Sequence, residues 1–381
     1  METMYCGVDL HYGTSTFHFL DEKGETKESI ETKTDKKSIE NVLVGYKNYS
    51  MAYAFEAGNM ANYFHRIVNK KENTKKIHVV HPYKFRVISE SKRKNDKEDS
   101  FHLAQGLLKD YLPYPVYIKS DICRQIKAIL NIRRRIVNTR AKIILQAKSI
   151  LRSLGIKESY RDLKTKKGFA RIINYLEGDS FYVPIIESLA EECVKETDKI
   201  NISEQQIKNL IDQHFKQEYD WLVSVPGISF VTASTILSVV DDINRFDRAG
   251  QFSSYCGLVP SEHSSGEKTV RGRITKQGVK ELRSLLTQAA WVIVRFKKEP
   301  DERLIKLKKK FYRMSYKQKN TQKAVTAIAR HLSRIVFGVL KNRTPYCGKI
   351  VNKAEACNIE IQGGRKLRVK TFRVLHPSMQ D

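Results

Sequence analysis

The first third of the chain alternates short apolar runs with helical patterns. Strands are predicted at residues 4–8, 14–20, 26–32, 51–57 and 76–80, with helices at residues 36–46 and 61–69. Asp21, Glu22, Lys23 and Gly24 supply a turn before the third strand. Three antiparallel strands that lead into alternating helices and strands indicate an α/β domain.

From residue 122 the pattern changes to a heptad. Spacings of four and three are typical of one long packed helix, and they connect Ile122, Ile126, Ile129, Arg133, Ile136, Arg140, Ile143, Ala147, Ile150 and Leu154. A parallel row widens the stripe and favours a helical bundle: Leu130, Val137, Ile144 and Leu151. Arg133 and Arg140 either reach outward or set the register of packing. A second helical tract at 184–215 is predicted to fold back on the first.

The last third is predicted to be mainly helical. A Pro226-Gly227 turn opens one helix, and further helices are predicted at 279–297 and 324–340. The turn is similar to a helix-hairpin-helix turn, whose backbone N–H groups meet a phosphate, and a plain turn is an equal alternative. The predicted domains are 1–115, a linker at 116–220, 221–345, and a basic tail at 346–381.

The balance of charge points to a polyanionic partner. Lys and Arg total 69 against 42 Asp and Glu, which gives a net charge of +27 and a pI of about 9.7. Acidic lipid is the competing partner, but no stretch approaches the roughly 18 apolar residues of a membrane span. Because the start of the chain also lacks a signal-peptide pattern, we expect DNA or RNA binding in the cytoplasm, at the nucleoid. The six scattered cysteines predict free thiols rather than a zinc site or disulfides.

Four acidic residues are candidates for a metal site. Asp9 and Glu56 each end a predicted strand, where ligands of α/β sheets collect, and Asp96 and Asp99 are three residues apart on a predicted helix start. Carboxylates are hard oxygen ligands that suit Mg²⁺, and two such ions could clamp a phosphodiester. Taken singly, each acid has an ordinary alternative as a turn former, helix cap or surface charge.

A serine lies in a glycine-containing basic segment at residues 255–278. Ser265 precedes Gly266, next to Ser264 and His263, and is followed by the cations Lys268, Arg271, Arg273 and Lys276. Attack on a phosphodiester needs a nucleophile on a backbone that can approach phosphate, surrounded by positive charge. The alternative is a basic surface loop with two ordinary serines and a solvated histidine.

Two further stretches are candidate nucleic-acid surfaces. Eight Lys or Arg and no acid lie between Arg303 and Lys319, interleaved with aromatic residues, and residues 119–152 carry ten cations against Asp121 alone. The predicted contacts in these stretches are Arg133, Arg134, Arg135, Arg140, Lys308, Lys309, Lys310 and Arg313. A solvated helix face with its aromatics turned inward is the alternative for residues 303–319.

The motifs taken together resemble one family. Asp9, Glu56 and the K-x-D-x-x-D run of Lys94, Asp96 and Asp99 resemble the DEDD transposases of the insertion-sequence one hundred and ten family. The P-G-I at 226–228, the Y-x-G-L-x-P at 255–260, the serine and glycine, and the G-R-I-T-K-x-G at 272–278 are similar to its transposase domain. The resemblance spans roughly residues 4–340. One departure is Ser100, where the family has alanine after the last acid.

This resemblance implies a fold and a mechanism. It implies an RNase H-like (RuvC-like) domain that holds Mg²⁺ with the four acids, a coiled-coil hairpin, and a mainly helical domain with the catalytic serine. Ser265, or alternatively Ser264, would attack DNA to form a phosphoserine, in a composite site of an oligomer between dimer and tetramer. A non-coding bridge RNA would pair with donor and target DNA, so that base pairing carries specificity.

Two other functions remain open on the residues alone. A RuvC-type junction-resolving nuclease would use the acids with water and would need no serine. A non-catalytic nucleic-acid-binding protein would need only the net charge.

Overall fold

A computed structural model describes residues 1–86, 96–157, 162–176, 181–265, 268–296 and 301–348. For residues 263–265 and 268–271, and for Arg86, Asp162 and Gln318, it describes the backbone only. The chain forms two compact units, Met1–Ile118 and Lys119–Asp381. Each helix in the described ranges is too short or too polar to cross a lipid bilayer.

The first unit is built on a five-stranded mixed sheet. Its strands are β1 (Thr3–Leu10), β2 (Thr14–Leu20), β3 (Thr26–Lys33), β4 (Ser50–Glu56) and β5 (Thr74–Val80). They lie in the order β3-β2-β1-β4-β5, antiparallel from β3 to β1 and parallel from β1 to β5. All five predicted strands are present within two residues of their expected ends, so the predicted α/β domain is confirmed.

Helices cover both faces of this sheet. They are α1 (Lys36–Val44), α2 (Ala61–Val68), α3 (Pro82–Arg86) and α4 (Asp96–Leu108). Aromatic residues such as Phe17, Phe55 and Phe64 fill the face under α1 and α2. The opposite face carries the small residues Ala52 and Ala54 and packs against α4. Successive strand residues alternate between faces, so each strand supplies both layers.

Helix α4 lies unusually close to β1 because β1 contains Gly7. A Cβ atom on Gly7 would lie 2.0 Å from the carbonyl oxygen of Ser100 and 2.5 Å from the amide nitrogen of Ala104. Ser100 itself is fully buried, and its hydroxyl donates a hydrogen bond to the carbonyl of Lys97 at 3.0 Å. The serine fits this buried position because its polar group is satisfied within the helix.

The second unit is mostly helical. It contains α5 (Asp121–Ser153), α6 (Lys166–Tyr175), α7 (Val183–His214), α8 (Lys216–Val223), α9 (Phe230–Val240), α10 (Ala249–Tyr255), the hairpin of β6 (Pro260–Ser265) and β7 (Lys268–Ile274), α11 (Lys280–Arg295), α12 (Glu302–Gln318) and α13 (Thr321–Asn342). The predicted long helices are confirmed, and α5 and α7 pack along one another. Helices α6, α8 and α10 and the β6–β7 hairpin were not predicted from the sequence.

The two interrupting arginines of the heptad join α5 to α7. Arg133 forms an ion pair with Glu204 at 2.6 Å, and Arg140 donates to the hydroxyl of Thr197 at 3.1 Å. Of the two alternatives for these residues, the described contacts therefore favour a role in the register of helix packing. The first residues of α5 are held elsewhere, where the carboxylate of Asp241 accepts from the backbone N–H and hydroxyl of Ser120.

The Gly7 contact predicts a large effect of the smallest substitution. Gly7→Ala should destabilise the first unit by about 2–3 kcal/mol, because the clash is with backbone atoms that cannot rotate away. Urea unfolding followed by circular dichroism measures this. Gly13→Ala is the matched control, since nothing lies within 4 Å of its added Cβ, and it should change stability by less than about 0.5 kcal/mol. Equal stability of the two variants would contradict the close approach of α4.

Candidate functional site

The strand ends of the first unit bring acidic side chains to one edge of the sheet. Asp9 shares a face with Gly7, because side chains two apart on a strand point the same way. The parallel register pairs Gly7 with Ala54, and its continuation places Asp9 beside Glu56. Helix α4 covers this same face and begins at Asp96, with Asp99 one turn further on. All four predicted acids therefore belong to one region of the unit.

Asp9 and Asp96 lie close together, with an imidazole between them. The Nε2 atom of His11 is 3.2 Å from an Asp9 carboxylate oxygen and 3.8 Å from an Asp96 oxygen. One ligand atom from each of the three residues falls within 4.8 Å of the others. The Asp9 side chain is only 16% exposed, whereas those of His11 and Asp96 are 57% and 60% exposed. Asp9 thus forms the more buried side of the cluster, and His11 and Asp96 form its solvent-exposed side.

His11 was not among the residues predicted from the sequence to belong to the site. An available signal was the D-x-H spacing at the end of a predicted strand, because residues two apart in extended chain share a face. The position of His11 depends on the hairpin between β1 and β2. Its first link beyond the strands is the hydrogen bond from the His11 backbone N–H to the carbonyl of Thr14 at 3.0 Å.

The electrostatics of Asp9 favour a bound cation. Burial raises the pKa of the Asp9 carboxyl above its ordinary value; His11 opposes this rise, while the charges of Asp96 and Asp99 add to it. Crowded carboxylates of this kind are stabilised by a positive ion. The donor set of two carboxylates and one imidazole fits a divalent cation.

The predicted serine segment forms the β6–β7 hairpin instead of a loop. The register pairs Ser265 with Lys268 and Ser264 with Thr269, and Ser265 is the last residue of β6. The side chains of Ser264, Ser265, Lys268 and Arg271 lie outside the described residues. Arg273 and Lys276, at the base of the hairpin, are exposed.

The glycines of the two transposase-domain motifs meet at this base. Gly257 and Gly278 both have positive φ, +67° and +131°, and a Cβ on Gly278 would lie 2.4 Å from the carbonyl oxygen of Tyr255. Backbone N–H groups of Thr275 and Val279 bridge the same junction. The two motifs are therefore two sides of one tight backbone contact that orients the hairpin.

The Pro226-Gly227 turn is also a packing feature. Gly227 has a φ of +85°, and a Cβ there would lie 2.9 Å from the carbonyl oxygen of Ala289 in α11. Glycine is needed at this point by the fold itself. This explains the residue without a phosphate, and the helix-hairpin-helix role stays a prediction.

The predicted nucleic-acid contacts differ in how freely they face solvent. Arg134, Arg135, Lys309 and Arg313 are exposed, and of these Arg134 also lies 3.9 Å from a carboxylate oxygen of Glu281. Arg133 and Arg140 are engaged between α5 and α7, as described above. Two lysines also have protein partners: Lys308 donates to the carbonyl of Phe296 at 2.6 Å, and Lys310 is 2.7 Å from His331.

A carboxylate cluster together with exposed cations is typical of DNA-processing enzymes. Comparisons with known proteins agree with this class of protein. A family model for DEDD transposases of the IS110 type, described as "Transposase", matches residues 6–156. A second, described as "Transposase IS116/IS110/IS902 family", matches residues 219–304. Both lie in the expected order, and together they match more than half of the chain. The chain belongs to the IS110 family of transposases, as its motifs predicted.

Curated relatives carry consistent names. The transposase for insertion sequence element IS1111A of Coxiella burnetii is 25% identical over 67% of this chain and 69% of its own. The transposase for insertion sequence element IS1328 of Yersinia enterocolitica is 27% identical over 52% and 58%. The pilin gene-inverting protein of Moraxella lacunata is 31% identical over 43% and 51%. These relatives support a transposase or recombinase.

The position of His11 predicts metal selectivity. His11→Ala should weaken Mn²⁺ binding by at least about tenfold, and Mg²⁺ binding much less, because imidazole is a better ligand for transition metals. Titration with Mn²⁺ followed by electron paramagnetic resonance, with Mg²⁺ as competitor, measures both affinities. Tyr12→Ala is the neighbouring control, since Tyr12 is 91% exposed. Equal weakening of both ions would show that His11 is no direct ligand.

Proposed function

We propose that this transposase cuts and rejoins DNA with Asp9, Glu56, Asp96 and Asp99 as Mg²⁺ ligands and Ser265 as the nucleophile. The observation that carries the proposal is the Asp9–His11–Asp96 cluster on the face where α4 approaches β1. A bound Mg²⁺ would supply positive charge at phosphate oxygens. The half-buried carboxylate of Asp9 forms the fixed base of the site, and the exposed Asp96 lies at its open side.

The serine step conserves the phosphodiester. The Oγ of Ser265 forms a bond to phosphorus and loses its proton, while the bond from phosphorus to one deoxyribose oxygen breaks and that oxygen gains a proton. A hydroxyl of the second DNA strand then reverses the reaction on the phosphoserine and releases the serine. One phosphate ester replaces another at each stage, so the exchange needs no nucleotide cofactor. The exposed Arg273 and Lys276 supply positive charge at the base of the same hairpin.

The finer architecture follows the family. We propose that the first unit is RuvC-like, because its strand order places three antiparallel strands before two parallel ones. The pairing of α5 with α7, with a heptad along α5, supports a coiled-coil hairpin. Domains are proposed at 1–115, 116–220, 221–345 and 346–381. The active form would be a dimer to tetramer whose composite sites take residues from two protomers.

A guide RNA is the second part of the proposal. The net charge of +27 and the exposed cations Arg134, Arg135, Lys309 and Arg313 would hold the backbones of a bridge RNA and of donor and target DNA. Base pairing would then select the sequence, as in other RNA-guided enzymes.

One alternative is favoured by a specific observation. The carboxylate cluster alone would suffice for a RuvC-type nuclease that hydrolyses DNA with water. The two mechanisms differ in whether a covalent protein–DNA adduct forms.

Replacement of the serine separates these mechanisms. Ser265→Ala should abolish the adduct on denaturing gels with labelled DNA and lower recombination by at least about a thousandfold. Ser264→Ala is the matched control and should retain both. Cleavage by Ser265→Ala in Mg²⁺ would establish the hydrolytic nuclease, and loss of the adduct in Ser264→Ala alone would move the nucleophile by one residue.

Nucleic acid that purifies with the protein tests the guide. Sequencing should recover one defined non-coding RNA from the wild type, and equally from Asp9→Asn, which should bind RNA while failing to cleave DNA. Random fragments in both preparations would argue against a guide. Unchanged recombination by Asp9→Asn would remove the acids from the mechanism.

A further inference from the structure

Helices α12 and α13 concentrate positive charge, with Glu302 at the start of α12 as their only acidic residue. They follow one another with only Lys319 and Asn320 between them, and they pack together through residues such as Leu307 and Leu332. No Asp or Glu occurs from Arg303 to Ala354. Neither helix therefore has a carboxylate of its own, beyond Glu302 at the start of α12, to balance its cations.

Four cations and a histidine come together where the helices meet. The Nζ of Lys310 in α12 donates to the Nε2 of His331 in α13 at 2.7 Å. Burial, then Lys310, Arg334 and Arg330, lower the pKa of His331 to about 4. Burial lowers the pKa of Lys310 as well, and the charges of Arg313, Arg330 and Arg334 lower it further. His331 is therefore a neutral acceptor among like charges that repel one another.

Such a cluster is stabilised by an anion from outside. A phosphate placed among Lys310, Arg313 and Arg334 would relieve their mutual repulsion and form charge-assisted hydrogen bonds. Arginine suits phosphate particularly well, since its planar guanidinium can bind two oxygens at once. His331 leaves the full positive charge on Lys310 for this ligand.

Two exposed tyrosines lie on the same helix as Lys310 and Arg313. Tyr312 and Tyr316 are 56% and 88% exposed, although large aromatic rings gain most from burial. They are one helical turn apart on the solvent side of α12, next to the exposed Lys309, Arg313 and Lys317. Tyr312 is also supported from below by an edge-to-face contact with the buried Phe311, at 5.4 Å between ring centroids.

The spacing of the rings suits separated bases. Four helical residues advance about 6 Å, roughly twice the 3.4 Å rise between stacked bases along one DNA strand. Two bases on these rings would be unstacked from each other, as in an unpaired strand and unlike a duplex. Stacking on aromatic side chains is the usual way in which proteins hold unpaired bases.

We propose that α12 and α13 form a binding site for an unpaired strand of nucleic acid. Lys310, Arg313 and Arg334 would bind its phosphates, and Tyr312 and Tyr316 would stack on two of its bases. We call these five residues the strand site. The inference rests on the proposed function, since it assumes that the protein binds nucleic acid at all, and it adds where an unpaired segment is held.

Two double variants of the full chain separate phosphate contact from stacking. Arg313→Ala with Arg334→Ala removes two charges, and Lys195→Ala with Lys208→Ala removes the same charge from exposed positions on α7. Tyr312→Ala with Tyr316→Ala removes the rings, and Tyr312→Phe with Tyr316→Phe keeps them. Fluorescence anisotropy is measured over a range of NaCl with labelled oligo-dT, oligo-U and a DNA duplex, each longer than the roughly 4–16 nucleotides of such sites. Thermal unfolding confirms that each variant is folded.

The strand site predicts distinct losses. The arginine pair should reduce the slope of log affinity against log salt by about 1.4 on single strands, about 0.7 for each lost phosphate contact, whereas the α7 pair should leave it unchanged. Replacement of both tyrosines by alanine should weaken single-strand binding by at least about tenfold and duplex binding by less than about twofold. Replacement of both by phenylalanine should leave binding unchanged, because the rings remain. A larger loss on oligo-U than on oligo-dT would identify RNA as the ligand, and the reverse would identify DNA.

Several outcomes would overturn the inference. Equal slopes for the arginine pair and the α7 pair would show only general attraction. Equal weakening of single strands and duplex by the tyrosine variants would show a duplex surface, and no weakening would remove stacking. A wild-type protein that binds none of the probes would overturn the proposed function too, whereas normal wild-type binding with unaffected variants would overturn the strand site alone.

Discussion

The contact of α4 with β1 at Gly7 is the constraint on which the acidic site depends. An added Cβ would collide with backbone of the helix, so only glycine lets the first turn of α4 lie beside the end of the strand. That turn carries Asp96 and Asp99, and the strand end carries Asp9. One missing side chain in the middle of a strand therefore brings together carboxylates that are almost ninety residues apart along the chain.

The charge at the acidic edge of the sheet is opposite to the charge on helices α12 and α13. At the sheet edge, carboxylates crowd together, and burial raises the pKa of Asp9, so the site gains stability from a cation. On α12 and α13, cations crowd together, and burial and then their charges lower the pKa of His331 to about 4; this surface would gain stability from an anion. Both arrangements store repulsion in the protein alone and release it in a complex. A metal ion and a phosphate backbone are the ligands with the matching charge.

Several motif residues support the fold itself. Gly227, Gly257 and Gly278 occupy backbone conformations or contacts that a side chain would disturb. Arg133, which the sequence suggested as a nucleic-acid contact, forms an ion pair with Glu204 on the neighbouring helix. Its predicted role in binding would have to compete with that pair. In this chain, the motif residues thus include some that support the fold as well as candidates for the chemistry.

The sequence by itself determined the strands and long helices, DNA as a substrate and the family, because periodicity, charge and motif spacing are local properties. It also predicted the four acids as a site. Tertiary structure alone decided that His11 lies between Asp9 and Asp96. It likewise decided that the serine segment is a hairpin and that cations of α12 and α13 converge on His331. The hairpin was not predicted because its strands lack the alternating apolar positions that indicate a strand. The other contacts join distant segments, so they depend on packing and register, which no local pattern contains.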